Sequence, residues 1–189
     1  MTRNQQAVIA LIVLAAIGAV VYYWRVIVQQ TPGDYEVRKG NYRLEDGRFE
    51  QAVEEFSKAL EENPDHERAH LGLAIAYMQM GKLDKALAAF DRTIELAPEM
   101  AVAYADRGIV RDRMGRYEEA VADYRKALEL NPDLGKGPGW LWRFLRNVSE
   151  KPPTIRDRLE YLEAELRNPP GERLLRVPEV DSKQRMYKK

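Results

Sequence analysis

Residues 101–134 read AVAYADRGIVRDRMGRYEEAVADYRKALELNPDL, and the same plan occurs twice upstream at a step of 34 residues. Gly47, Gly81 and Gly115 keep that step, and so do Pro64, Pro98 and Pro132. It also links Ala52, Ala86 and Ala120, then Phe56, Phe90 and Tyr124, and finally Ala59, Thr93 and Ala127. Five registers agreeing over three copies define an internal repeat, in which each copy is one supersecondary unit. In the second half of the last copy, Ala120, Val121, Tyr124, Ala127 and Leu128 recur at i, i+3/i+4 and mark one buried helix face. The glycines supply permissive backbone for a turn between two helices. The prolines cannot continue a helix, so each closes one unit and begins the next. Gly40, Ala74 and Gly108 in the first helices, and the Ala52 series in the second, let each helix pair approach closely. One such hairpin cannot bury its apolar face alone; three stacked hairpins are about the minimum.

A 34-residue period with a small residue, an aromatic and a closing proline resembles the tetratricopeptide repeat. The resemblance implies an all-α solenoid of three helical hairpins, at residues 33–66, 67–100 and 101–134. By the same resemblance the first helices line a concave groove that binds a protein partner. Its lining would be Val37, Arg38, Asn41, Leu44 and Glu45 from the first unit, then Arg68, Leu71, Ile75, Met78 and Gln79 from the second. Val102, Asp106, Ile109, Asp112 and Arg113 complete it. Leu71, Ile75 and Met78 form an apolar stripe expected to face a ligand, with Leu73, Ala74 and Tyr77 turned to the core. Some members grip a C-terminal carboxylate with a lysine/asparagine/arginine clamp. Asn41 fits that clamp, but Val37, Gly72, Val102 and Asp106 stand at its other places, so that activity is not carried over. A second departure lies in the first helices. Lys39 and Arg107 replace the usual leucine that Leu73 keeps, and Arg43 and Arg111 replace the tyrosine kept as Tyr77. Salt bridges to neighbouring acids, or capping of an end of the stack, are the expected roles of the arginines.

Upstream of the repeats, Ala7 to Trp24 is uncharged: AVIALIVLAAIGAVVYYW. Eighteen helical residues span about 27 Å, and continuing to Val28 gives about 33 Å, close to a bilayer's hydrocarbon thickness. Tyr22, Tyr23 and Trp24 sit where an interfacial aromatic belt would. The run exceeds the apolar core of a signal peptide and has no A-x-A-like site after it. Residues 1–32 therefore read as a single transmembrane anchor and linker, with residues 7–28 in the bilayer of the cell membrane. Its orientation stays open. Arg25, Arg38, Lys39 and Arg43 on the C-terminal side favour a cytoplasmic domain, whereas a short positive N-terminus favours a translocated one.

The chain has 30 basic and 30 acidic residues and no cysteine. Residues 33–134 hold 15 basic and 22 acidic groups, net −7, and residues 135–189 hold 13 and 8, net +5. No basic excess points to nucleic acid, and no thiolate chemistry is possible. DHERAH, residues 65–70, contains H-E-x-x-H, the spacing of a zinc peptidase helix. The repeat register puts His66 at the end of one unit and His70 in the first turn of the next, so the imidazoles need not share a face. No third histidine exists, and Glu95 has no reason to converge on them. His66 reads as an exposed linker residue and His70 as a packing one. The acid pairs Glu54-Glu55, Glu61-Glu62 and Glu118-Glu119 read as solvated helix faces. GKGPGW at 135–140 lacks phosphate-loop spacing. No enzyme, metal, cofactor or small-molecule substrate is expected.

Residues 135–167 are expected to cap the solenoid. GPGWLWRFLRNV suits a helix over the open apolar end of the third repeat, or an interfacial helix on the bilayer. Thr154 with Asp157 can form a capping box, opening a helix with the stripe Ile155, Leu159, Leu162 and Leu166. Residues 168–189 read as an extended basic tail, anchored by Leu174, Leu175 and Val177, that could lie along the acidic repeats or bind a partner. The sequence thus describes a membrane-anchored adaptor that holds a protein partner. An assembly factor for a membrane complex, or a permanent accessory subunit of one, also fits it.

Overall fold

The computed structural model describes residues 3–23, 31–137 and 153–176, with side chains from residue 11 onward. Among them are eight α-helices, two short 3-10 turns and no strand. The first helix, α1, spans Arg3–Tyr23. Three hairpins follow: α2 (Asp34–Glu45) with α3 (Phe49–Glu62), α4 (Glu67–Gln79) with α5 (Leu83–Leu96), and α6 (Ala101–Arg113) with α7 (Tyr117–Leu130). A 3-10 turn at Pro132–Gly135 leaves the last hairpin, and α8 covers Ile155–Arg167. Gly47, Gly81 and Gly115 have φ of 73°, 71° and 77°. This left-handed conformation lets the chain reverse in three residues between helices.

Each hairpin closes around one aromatic ring from its second helix. A Cβ added at Gly40 would lie 2.6 Å from Phe56 Cε1, and one at Gly108 would lie 2.7 Å from Tyr124 Cδ1. Gly72, from the next hairpin, meets the tip of the same Phe56 ring, closer still. Phe56 is therefore packed on two glycine backbones. One apolar cluster joins Val37, Phe56, Ala69 and Leu73 across the first two hairpins. A larger one runs from Phe90 and Ile109 through Tyr124 and Leu128 to Ile155, Leu159 and Leu162 of α8.

Lys39, Arg107 and Arg111 of the first helices are paired within their own hairpins, whereas Arg43 forms no ion pair among the described residues. Lys39 Nζ bonds Glu55 Oε2 at 2.8 Å. One repeat pair further on, Arg107 holds Asp123 through Nε and Nη2 at 3.0 and 2.7 Å, and Arg111 Nη1 reaches the same carboxylate at 2.7 Å. Arg107 Nη1 also bridges to Asp91 of the preceding hairpin at 2.7 Å. In the middle repeat the matching positions are Leu73 and Ala89, both apolar. The swap is therefore made at both ends of each contact. Lys39 holds the Glu55 carboxyl below its ordinary value against the opposing effect of burial. At Arg107, burial works against the charge, and the bonds from Asp123 and Asp91 outweigh it, raising the pKa. Glu55 is thus a buried ion-pair partner and not, as its sequence suggested, part of a solvated face.

The C-terminal helix opens as its sequence required. Asp157 N donates to Thr154 Oγ1, and Thr154 N donates back to Asp157 Oδ2, which completes the capping box. Its apolar stripe covers the third hairpin, as a cap must. Arg158 fastens it, donating to both oxygens of Asp112 at 2.7 Å, with the two side chains 3% and 2% exposed. The segment GPGWLWRFLRNV, also expected to cap, lies outside the described residues from Pro138 onward.

The membrane anchor expected over residues 7–28 is not found. Among the described residues no helix is long and apolar enough to cross a membrane. For α1 that statement covers residues 11–23, whose side chains are described; 24–28 lie outside the described residues.

Candidate binding groove

The concave lining inferred from the register is treated unequally in the three repeats. In the first, Arg38, Asn41 and Glu45 are exposed and Leu44 is half-buried. Val37 is buried against Phe56 and its neighbours. In the second, Arg68 and Gln79 are exposed and Leu71 and Ile75 half-buried. Met78, expected beside them at the surface, is 1% exposed and belongs to the main core. The apolar stripe is therefore reduced to Leu71 and Ile75. In the third repeat Asp106, Ile109 and Asp112 are all buried; only Val102, half-buried, and Arg113 reach the surface.

The C-terminal segment covers part of the third-repeat lining. Residues 173–176 are neither helix nor strand, and Leu175 packs on the main core. Leu174 N donates to Glu165 Oε2 at 2.6 Å, and the Leu175 carbonyl accepts from Arg158 Nη2 at 3.0 Å. Arg176 Nη2 reaches the Arg113 carbonyl at 3.3 Å, at the end of α6. Of these residues Arg173 and Leu174 bond only to α8, Leu175 packs on the core and Arg176 alone bonds a repeat, while Val177 and beyond fall outside the described part. No local pattern in the sequence could have joined Asp112 to Arg158, 46 residues away.

The histidine pentad is resolved by its hydrogen bonds. His66 precedes α4 as its N-cap, and His70 lies inside the helix. His66 Nε2 donates to Asp34 Oδ1 at 3.1 Å, whereas His70 Nε2 donates to the Pro64 carbonyl at 2.9 Å. The two rings serve different partners. Among the described residues no three His, Cys, Asp or Glu side chains are grouped to hold a metal. The expectation of an exposed His66 is overturned: it is 0% exposed, packed between the first two hairpins at Asp34, which Arg68 also engages. His66→Ala is accordingly expected to cost about 1–3 kcal/mol, the usual range for a lost buried side chain with a hydrogen bond. Thermal melting would show this, while elemental analysis should find no metal in either form. Stoichiometric zinc lost in the variant would reverse the assignment.

A tetratricopeptide repeat family model matches residues 43–105, and another matches residues 101–134. This stretch of the chain carries tetratricopeptide repeats. Among solved structures, the fold is similar to the first TPR of Spaghetti (RPAP3) bound to HSP90 peptide SRMEEVD, at 21% identity and a TM-score of 0.58. That match covers 72% of this chain and 94% of the other. The Arabidopsis OM64 TPR domain matches at 25% identity and a TM-score of 0.53, over 54% of this chain and 84% of its own. The second TPR of Spaghetti (RPAP3), also bound to the peptide SRMEEVD, matches at 25% and 0.52, over 53% and 94%. No curated protein matches the sequence.

Proposed function

We propose that the chain is a non-enzymatic adaptor whose first two repeats hold a protein partner and whose N-terminal helix anchors it in the cell membrane. The observation that carries the adaptor reading is the unequal lining of the groove. Arg38, Asn41, Glu45, Arg68 and Gln79 are exposed around the half-buried Leu71 and Ile75, while the third repeat's lining is largely buried. A small apolar floor inside a charged, exposed rim suits an extended peptide that inserts one apolar side chain. The likeness to repeat domains bound to peptides supports the same class of ligand. An acidic C-terminal peptide is not the ligand we propose, since Val37 and Asp106 stand where a clamp needs cations.

The anchor rests on the sequence from Ala7 to Trp24, which carries no charge. At about 1.5 Å per residue those eighteen residues would reach about 27 Å as a helix. Leu11, Ile12, Leu14, Ile17, Val20 and Val21 are all exposed, an apolar surface that water does not favour. Retention in the pellet after alkaline carbonate extraction is the expected behaviour of the full chain; release into the supernatant rejects the anchor.

The partner is to be recovered with tagged full-length chain in mild detergent and identified by mass spectrometry. Ile75→Glu places a charge at the apolar floor and should reduce recovery at least about tenfold, the scale of a lost interface anchor. Ile75 is only half-buried, so the melting temperature should change little. Undiminished recovery would reject the groove as the site. Stoichiometric partner would indicate a permanent subunit, and substoichiometric partner present only during biogenesis an assembly factor.

A further inference from the structure

The first hairpin differs from the others on the face a preceding repeat would cover. At the positions of Ala69 and Ala76 in α4, and of Ala103 and Val110 in α6, the side chains are small and 0% exposed. They are small because α3 and α5 pack directly on them. One repeat earlier, α2 carries Tyr35 and Tyr42 at those same positions, 58% and 61% exposed. Two tyrosines would hold another helix well away from the 8–10 Å at which helices pack. This face is therefore not built to extend the solenoid. Arg38, Lys39 and Arg43 share it with the tyrosines, around a shallow depression of about 220 Å³. The Arg38 guanidinium lies 5.9 Å, and Lys39 Nζ 5.6 Å, from the centre of the Tyr35 ring. Lys39 is bound to Glu55, whereas Arg38 and Arg43 form no ion pair among the described residues.

We infer that this tyrosine–arginine face of α2 rests on the anionic headgroups of the membrane that holds α1. The inference builds on the anchor reading above. Two features single out a bilayer surface as the occupant. One is chemistry: tyrosines with arginine and lysine are the side chains that settle at the headgroup level of a membrane, and anionic lipid attracts the cations. The other is reach. Seven residues, 24–30, separate α1 from Thr31, and seven residues span at most about 25 Å. A domain on so short a leash must keep its N-terminal end near the surface, and α2 is that end. Contact there would orient the solenoid, holding the open groove of repeats one and two beside the membrane instead of pointing it into bulk solvent.

The chain lacks cysteine, so single cysteines can be labelled without removing any. Full-length chain is reconstituted into lipid nanodiscs, with a fluorophore at Asn41→Cys on α2 or at Ala88→Cys on α5. Both sites are exposed. A headgroup spin label in the lipid serves as quencher. In discs containing phosphatidylglycerol, quenching at residue 41 should exceed that at residue 88 several-fold. The difference should vanish in phosphatidylcholine discs, and also in Tyr35→Glu/Tyr42→Glu, whose melting curve checks that it is folded. Equal quenching at both sites, with the chain still eluting in the disc, would overturn the docked face and leave the anchor standing. A chain that elutes apart from the discs would overturn both.

Discussion

Asp112→Ala should destabilise the protein by about 3–5 kcal/mol, the range for stranding one partner of a buried ion pair. Arg158 donates twice to this carboxylate, and Tyr124 Oη donates to it at 3.2 Å. Truncation leaves the guanidinium at 3% exposure without that counter-charge. Because α8 is joined to the third hairpin here, the first consequence should be release of residues 153–176. Limited trypsin digestion should then cut at Arg167 and Arg173 before the repeats are touched. The melting temperature should fall by about 10 °C, at roughly 2–4 °C per kcal/mol for a chain of this size. The double variant Asp112→Leu/Arg158→Met tests the cause. With no charge left to desolvate, it should recover most of the loss. A single variant that melts like the parent would mean the ion pair does not hold the cap.

The second large effect is expected at Asp123, which takes bonds from both Arg107 and Arg111. Asp123→Ala should cost about 2–4 kcal/mol, somewhat less than a wholly stranded pair because Arg107 keeps Asp91 and Arg111 keeps Glu119. The protein contains its own alternative solution. The middle repeat has Leu73, Tyr77 and Ala89 at these three positions. The triple variant Arg107→Leu/Arg111→Tyr/Asp123→Ala copies them, and urea unfolding should show it to be more stable than Asp123→Ala alone. A triple variant no better than the single one would mean that the two kinds of contact are not interchangeable between repeats.

The parts of the fold legible in the sequence were those set by neighbours within one repeat. The 34-residue step located the hairpins because Gly47, Gly81 and Gly115 each need positive φ. Thr154 and Asp157 announced a helix start because the capping box closes over three residues. The charged Lys39 and Arg107 were read as ion-pair partners because an acid on the facing helix could compensate them. What escaped depended on distant chain. His66 is buried by Asp34, 32 residues earlier, and Asp112 by Arg158, 46 residues later. Met78 kept a surface position in the register while its side chain entered the core. Helical periodicity tells which residues share a face; it does not tell what will be laid over that face. The candidate groove was hence read as a full-length channel, when its last third is mostly buried.

The ring of Phe56, seated on Gly72 from the neighbouring hairpin, bears on how the solenoid can bend. Where the ring tip touches backbone, no facing side chain stands at that point to shear or re-pack. The counterpart of Gly72 at the next junction is Asp106, which carries a side chain where the first junction has none. Packed interiors yield by small slides between side chains and hardly by compression. The first two hairpins should consequently behave as a single stiff body. Any change of curvature that fits the molecule around a ligand has to be taken up between the second hairpin and the third.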